Sequence, residues 1–105
     1  MSLSTHVLDA TSGRPAEGVA VRLEHGGATV ADAVTDDDGR VRELGPLIGP
    51  GTYRITFATG AYFAATGQQA FYPEVSITFT VTDPAAHHHV PLLLSPYAYS
   101  TYRGS

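Results

Sequence analysis

Hydrophobic and polar residues alternate along much of this chain, most clearly over residues 74–82. Four apolar residues there alternate with serine and threonine, which is the period of a half-buried β-strand. The same period predicts strands over 19–24 and 53–58. Less regular apolar segments predict further strands at 3–8, 28–34, 41–44, 87–94 and 97–102.

Turn-forming residues separate these segments. Residues 11–15 divide the first strand from the second, and Asp36-Asp37-Asp38-Gly39 predicts a hairpin turn with a positive φ at the glycine. Residues 60–67 predict the one helix, about two turns long. Seven or eight short strands with one short helix predict an all-β sandwich of two antiparallel sheets, formed by a single domain over residues 1–105.

Composition narrows the possible partners. The 105 residues suffice for one core, and a net charge of −4 without any lysine argues against nucleic acid or an anionic membrane as partner. The absence of cysteine excludes disulfides and thiolate chemistry. No apolar run approaches the length of a membrane span, and the first six residues do not resemble a secretory signal. We therefore expect a cytoplasmic protein.

Histidines supply most of the chemistry that the composition offers. The five are His6, His25, His87, His88 and His89. On a strand, His87 and His89 share one face and His88 takes the other. This pair is interpreted either as solvated imidazoles on a surface strand or as ligands of one metal ion. No cysteine or convincing acidic partner supports a metal site, so no bound metal is expected. His25, beside two glycines, is expected to be a solvated turn residue.

Two arginines and several tyrosines have simple structural interpretations. Arg40 follows the acidic turn and is explained by charge balance at a surface, and the same applies to Arg103 near the end of the chain. Tyr97, Tyr99 and Tyr102 are explained as strand aromatics, because tyrosine favours strands. From these residues alone, a surface role is the simpler interpretation.

Longer motifs change this interpretation. The segment 90–105, from Val-Pro-Leu-Leu-Leu-Ser-Pro-Tyr to Ser-Thr-Tyr-Arg-Gly-Ser, resembles the signature end of the 5-hydroxyisourate hydrolases, the transthyretin-like enzymes of purine breakdown. Residues 3–9 and 11–16 resemble the opening motif of that family, 35–40 its middle motif, and 51–54 a further one. The resemblance covers essentially the whole chain, with the motifs in the expected order.

The resemblance implies a fold, an assembly and a reaction. The family fold is a two-sheet sandwich of eight strands with a short helix after the fifth, which agrees with the alternation. The implied assembly is a homotetramer, a dimer of dimers, with active sites in the channel between the dimers. The implied reaction hydrolyses 5-hydroxyisourate, a small molecule, to 2-oxo-4-hydroxy-4-carboxy-5-ureidoimidazoline, with no cofactor and no metal.

The resemblance also assigns residues. It implies that His6, Arg40 and His89 are catalytic. The residues that it implies for substrate binding are Tyr102, Arg103, Gly104 and Ser105. His88 stands where the family usually has tyrosine, and because alternation puts it opposite His89 we expect altered packing and not lost chemistry.

These residue types suit the reaction. An imidazole with a pKa near 6.5 is a competent base for activating water, and a guanidinium offers a planar donor fork to a developing oxyanion. No motif for a nucleophilic serine is present, which favours direct water attack; which histidine is the base stays open. The alternatives are a transthyretin-type carrier that binds an aromatic ligand in the same channel, and a structural or metal-binding module based on His87 and His89.

Overall fold

The structure is a computed structural model that describes residues 3–105. Of the first six residues, which do not resemble a secretory signal, the first two lie outside this range. One sheet contains β1 (Leu3–Asp9), β2 (Arg14–Pro15), β5 (Arg40–Val41), β8 (His88–Ser95) and β9 (Ala98–Thr101). The other contains β3 (Ala20–His25), β4 (Ala28–Val34), β6 (Gly51–Phe57) and β7 (Val75–Val81). The helix α1 (Thr59–Ala65) lies between β6 and β7 in the chain. No helix among residues 3–105 is long and apolar enough to cross a membrane.

The apolar sides of the two sheets form the core. In the first sheet Val7 and Leu92 are fully buried, and in the second sheet Ile55 and Phe57 are. Burying a side chain of this size contributes roughly 1.5–3 kcal/mol, so the alternation seen in the sequence has a direct energetic cause. The predicted two-sheet sandwich with one short helix is confirmed.

The first sheet, in the order β2-β1-β8-β9 with β5 beside β1, differs from the prediction in three details. β1 and β8 run parallel, whereas antiparallel pairing was expected throughout. Arg14 and Pro15, predicted as part of a turn, form the edge strand β2 against the end of β1. The strand predicted over 41–44 is limited to Arg40 and Val41. The β1–β8 and β1–β5 pairings join segments distant in sequence, so no local pattern reports them, whereas β2 is only two residues long and lies within a segment rich in turn-forming residues.

Asp9 fixes the end of β1. Its side chain is buried and accepts hydrogen bonds from the backbone N–H of Thr11 at 2.9 Å and from the Tyr62 hydroxyl at 2.8 Å. Burial and the bond to this carboxylate raise the pKa of Tyr62 to about 12, so the phenol stays protonated as a donor. The contact ties helix α1 to the strand that carries His6.

Candidate active site

The outer face of the first sheet carries the polar side chains of interest. Along β1 the residues Leu3, Thr5 and Val7 are buried, whereas Ser4 and His6 between them are only partly buried. Strand alternation therefore directs Ser4 and His6 to the face away from the core. The candidate site is built outward from these two residues.

β5 places a cation beside His6. The two strands pair antiparallel, and His6 lies directly opposite Arg40. The Arg40 Nε donates a hydrogen bond of 2.8 Å to Asp38 Oδ2, and about a third of the side chain is exposed. Asp38 thereby fixes the plane of the guanidinium, which keeps its other N–H groups for a different acceptor.

The acidic turn explains why Arg40 is held so firmly. Asp36 Oδ1 accepts hydrogen bonds of 2.9 Å from the backbone N–H groups of Asp38 and Arg40, and these bonds lower the pKa of the Asp36 carboxyl. Gly39 has a φ of 72°, and a Cβ there would collide with the carbonyl oxygen of Val7. The predicted positive φ is confirmed, but the predicted hairpin is wrong, because β4 before the turn lies in the second sheet and β5 after it pairs with β1 in the first. Glycine is required both by backbone conformation and by space.

β8 brings a second histidine to the same face. In its parallel pairing with β1, His89 lies opposite Ser4. Ser4 Oγ is 2.7 Å from His89 Nδ1 and 3.0 Å from His87 Nε2, so the predicted common face of the two histidines is confirmed. His88 points inward: it is buried, and its Nδ1 donates to the carbonyl oxygen of Ala86 at 2.9 Å. The outer face of β8 thus contributes His89 to the candidate site, and the inner face buries His88.

The surroundings of His89 favour its neutral form. Burial is the main cause that lowers its pKa below the ordinary 6.5, and the positive charge of Arg40 is the next. Charge on His6 and His87 acts in the same direction, while a hydrogen bond to the Ser4 backbone opposes it. At neutral pH the imidazole is therefore unprotonated at one nitrogen and can accept a proton.

His6 has an unusual hydrogen-bonding state. Its Nε2 atom is buried, and no group among residues 3–105 forms a hydrogen bond with it. Leaving such an atom unsatisfied costs about 1–3 kcal/mol, and exceptions of this kind in folded proteins call for an explanation. A substrate or a reacting water would satisfy this nitrogen.

The C-terminal tail closes onto His89. The Gly104 backbone N–H donates to the carbonyl oxygen of His89 at 2.8 Å, and this pair forms a short antiparallel bridge. Gly104 lies so close to the imidazole that a Cβ would collide with the ring carbon Cδ2. Glycine is needed here for close approach, and Ser105 follows it directly.

The other two residues predicted for substrate binding lie differently. Tyr102 is largely exposed. Tyr102 and Arg103 line a cleft of about 240 Å³ whose other walls include His88 and His89 of β8 and Ile77 and Phe79 of β7. The structure thus brings His6, Arg40, His89 and Gly104 together but does not bring Arg103 into the cleft that contains Arg40.

A smaller cleft on the outer face includes residues that were not predicted as part of the site. It has a volume of about 140 Å³ and is lined by Ser4, Thr5, Arg40, Arg42 and His87. Ser4 was detectable in principle, because it lies two residues before His6 and shares its face. Its contact with His89 depends on the parallel register of β1 and β8, which the sequence does not reveal.

His25 was placed wrongly by the sequence prediction. It is the last residue of β3 and not a turn residue, and its ring stacks on Tyr53 with a centroid distance of 3.9 Å. Its Nδ1 donates to the carbonyl oxygen of Thr52 at 2.9 Å.

Within residues 3–105, no three histidine, aspartate or glutamate side chains are grouped so that they could hold a metal ion.

Comparison with known proteins gives consistent similarities. Residues 3–104 match the HIUase/Transthyretin family. A 5-hydroxyisourate hydrolase of Caulobacter vibrioides is 47% identical over 112 residues, which cover 98% of this chain and 97% of the relative. The structure of Klebsiella pneumoniae 5-hydroxyisourate hydrolase is similar with a TM-score of 0.93 and 42% identity, covering both chains fully. Sea bream transthyretin in complex with thyroxine has a TM-score of 0.89 and 31% identity, covering 99% of this chain and 95% of that one.

Proposed function

Because this chain belongs to the HIUase/transthyretin family, we propose that His6, Arg40 and His89 form the active site of a 5-hydroxyisourate hydrolase. The enzyme hydrolyses 5-hydroxyisourate to 2-oxo-4-hydroxy-4-carboxy-5-ureidoimidazoline in urate breakdown. The observation that supports the site assignment is the register that sets His6 opposite Arg40, on the face that also carries His89.

Water attack on a ring carbonyl opens the six-membered ring. A neutral imidazole takes one proton from water, and the water oxygen forms a bond to the carbonyl carbon. The ring C–N bond then breaks, and the leaving nitrogen takes a proton from the imidazolium. The proton taken by the base thus ends on the ureido nitrogen, and the second water proton stays on the new carboxyl group, which releases it to solvent on forming the carboxylate. His89 suits the role of base, since its surroundings lower its pKa and keep it neutral.

Arg40 and His6 act on the substrate. As the carbonyl is attacked, negative charge develops on its oxygen, and the guanidinium of Arg40 stabilises this oxyanion. Asp38 holds the guanidinium in place before the substrate arrives, so little reorganisation is needed during the reaction. His6 Nε2, which is buried and unsatisfied, hydrogen-bonds to the substrate or to the attacking water.

The proposed assembly is a homotetramer with the tails at the site. β9 and β7 lie at the edges of their sheets, and exposed edge strands favour pairing with a second copy. Symmetric pairing through these edges gives a dimer, and two dimers that face each other enclose the outer face of the first sheet. In this arrangement Tyr102, Gly104 and Ser105 line the substrate channel, and Arg103 lies beside the paired edges.

The pH dependence should report the lowered pKa of His89. Below that pKa the imidazole is protonated and cannot accept a proton from water, so kcat/KM is expected to fall as the pH decreases through it. Because burial and Arg40 lower the pKa, the half-maximal point should lie below pH 6.5. Initial rates at a series of pH values test this. An acid limb centred above pH 6.5 would contradict the assignment of His89 as the base.

The activity itself is tested by the ultraviolet decay of freshly made 5-hydroxyisourate. The protein should accelerate the decay, and pre-treatment with a chelator should leave the rate unchanged. A transthyretin-type carrier would bind an aromatic ligand and leave the decay at its spontaneous rate. Acceleration that the chelator abolishes would instead support a metal-dependent mechanism and refute the role given to the imidazoles.

A further inference from the structure

A single hydroxyl joins two imidazoles beside the proposed catalytic centre. Ser4 Oγ is 2.7 Å from His89 Nδ1 and 3.0 Å from His87 Nε2, both within hydrogen-bond distance. β1 supplies the serine, and β8 with the residue just before it supplies the two histidines. The hydroxyl thus sits between a histidine assigned to the reaction and one without an assigned role.

The number of protons limits how these three groups can bond. A serine hydroxyl donates one proton and accepts two hydrogen bonds, and each neutral imidazole has one N–H. Ser4 therefore donates to one ring at most, and the other ring must donate to Oγ. Two arrangements satisfy this count, one in which His89 donates to Oγ and one in which His87 does. The proposed role of His89 as the base requires the lone pair on Nε2, and only the arrangement in which His89 Nδ1–H donates to Oγ leaves it there.

We propose that Ser4 is a positioning residue, which accepts from His89 Nδ1–H and donates its own proton to His87 Nε2. This inference rests on the proposed function, in which His89 is the base. With Nδ1 protonated, the lone pair of neutral His89 lies on Nε2, the nitrogen on the side of the ring away from Ser4. The hydroxyl therefore selects the tautomer that can take a proton from water.

His87 completes the arrangement by directing the serine proton. If His87 accepts this proton, the lone pairs of Oγ remain for His89. Without His87 the hydroxyl can rotate and donate to His89 Nδ1, which moves the His89 proton to Nε2 and removes the basic lone pair from the substrate side. His87 thus acts on His89 only through Ser4.

Nitrogen-15 NMR of the imidazoles tests this directly, because it distinguishes the two neutral tautomers without any substrate. In the parent, His89 is expected to carry its proton on Nδ1. In Ser4→Ala the proton should shift largely to Nε2, and Ser4→Thr, which keeps the hydroxyl, should restore Nδ1–H. An Nε2–H tautomer in the parent, or an unchanged Nδ1–H tautomer in Ser4→Ala, would overturn the proposal. Neither result depends on whether the substrate is correctly identified.

Kinetics give the second test. Ser4→Ala is expected to lower kcat by about 10- to 100-fold, by analogy with the loss seen when the hydrogen-bond partner of a metal-bound histidine is removed, with KM changed by less than about threefold. Ser4→Thr should recover kcat to within about threefold. An effect on KM alone, or a threonine variant as impaired as the alanine variant while both are folded, would contradict a positioning role.

A double-mutant cycle separates a chain of contacts from two independent effects. His87→Ala should lower kcat by about threefold or more in the parent, and should have no further effect in the Ser4→Ala background. Additive losses would show that His87 acts independently of Ser4 and would refute the second half of the proposal. If the parent shows no hydrolase activity at all, the proposed function fails, and the NMR result still decides the tautomer.

Discussion

Asparagine in place of His89 is expected to lower kcat/KM for 5-hydroxyisourate by about 10²-fold or more. Lysine in place of Arg40 should lower kcat/KM by a similar factor. Asparagine keeps hydrogen-bonding capacity at Nδ2 and Oδ1 but cannot accept a proton at neutral pH. Lysine keeps the charge of Arg40 but not the planar fork that Asp38 holds at Nε. The measurement is the ultraviolet decay of the substrate, followed with each purified variant.

His88→Tyr is the matched control for these variants. His88 is the neighbour of His89 in sequence but is buried on the opposite face of β8, away from Ser4 and Arg40. This variant should therefore stay within a few-fold of the parent. If His89→Asn and Arg40→Lys proteins that are folded and assembled retain near-normal rates, the active-site assignment is refuted. A large loss of activity in His88→Tyr with the fold intact would show that residue 88, and not residue 89, lies on the face of β8 that carries the site.

Local patterns were sufficient to predict most of the sheets. The alternation over 74–82 became β7 (Val75–Val81), because the period of two belongs to the strand itself and does not depend on which strand it pairs with. Pairing is different: it depends on contacts between segments far apart in sequence. β1 and β8 are separated by almost the whole chain, so no local sequence pattern indicates that they pair in parallel.

The same limit applies to the site. Alternation alone put His87 and His89 on one face, and the structure agrees. The roles of His6 and Arg40 came from resemblance, since an isolated arginine after an acidic turn is explained equally well by charge balance. Their register across β1 and β5 is a property of the assembled sheet. Ser4 was overlooked because a serine on a strand has no distinctive pattern until its partner is known.

Removal of residues 102–105 is expected to abolish most activity while leaving a folded protein. All of the buried core residues precede this tail, so the sandwich should persist. The deletion removes the Gly104 N–H that donates to the His89 carbonyl oxygen and the backbone that packs against its ring. Without this contact the ring is held on the Ser4 side alone and can tilt, and a displacement of about 1 Å can cost 10²-fold in rate.

Sedimentation, thermal unfolding and the absorbance assay on the same sample decide this prediction. The truncated protein should sediment like the parent, because β7 and the β9 strand (Ala98–Thr101) that we propose to pair between copies are both retained. It should unfold cooperatively at a temperature near that of the parent. Full activity of the truncated protein would show that the tail is not part of the site. A parent that is active as a monomer at assay concentration would refute the proposed channel, since a single copy would then contain every group that the reaction needs.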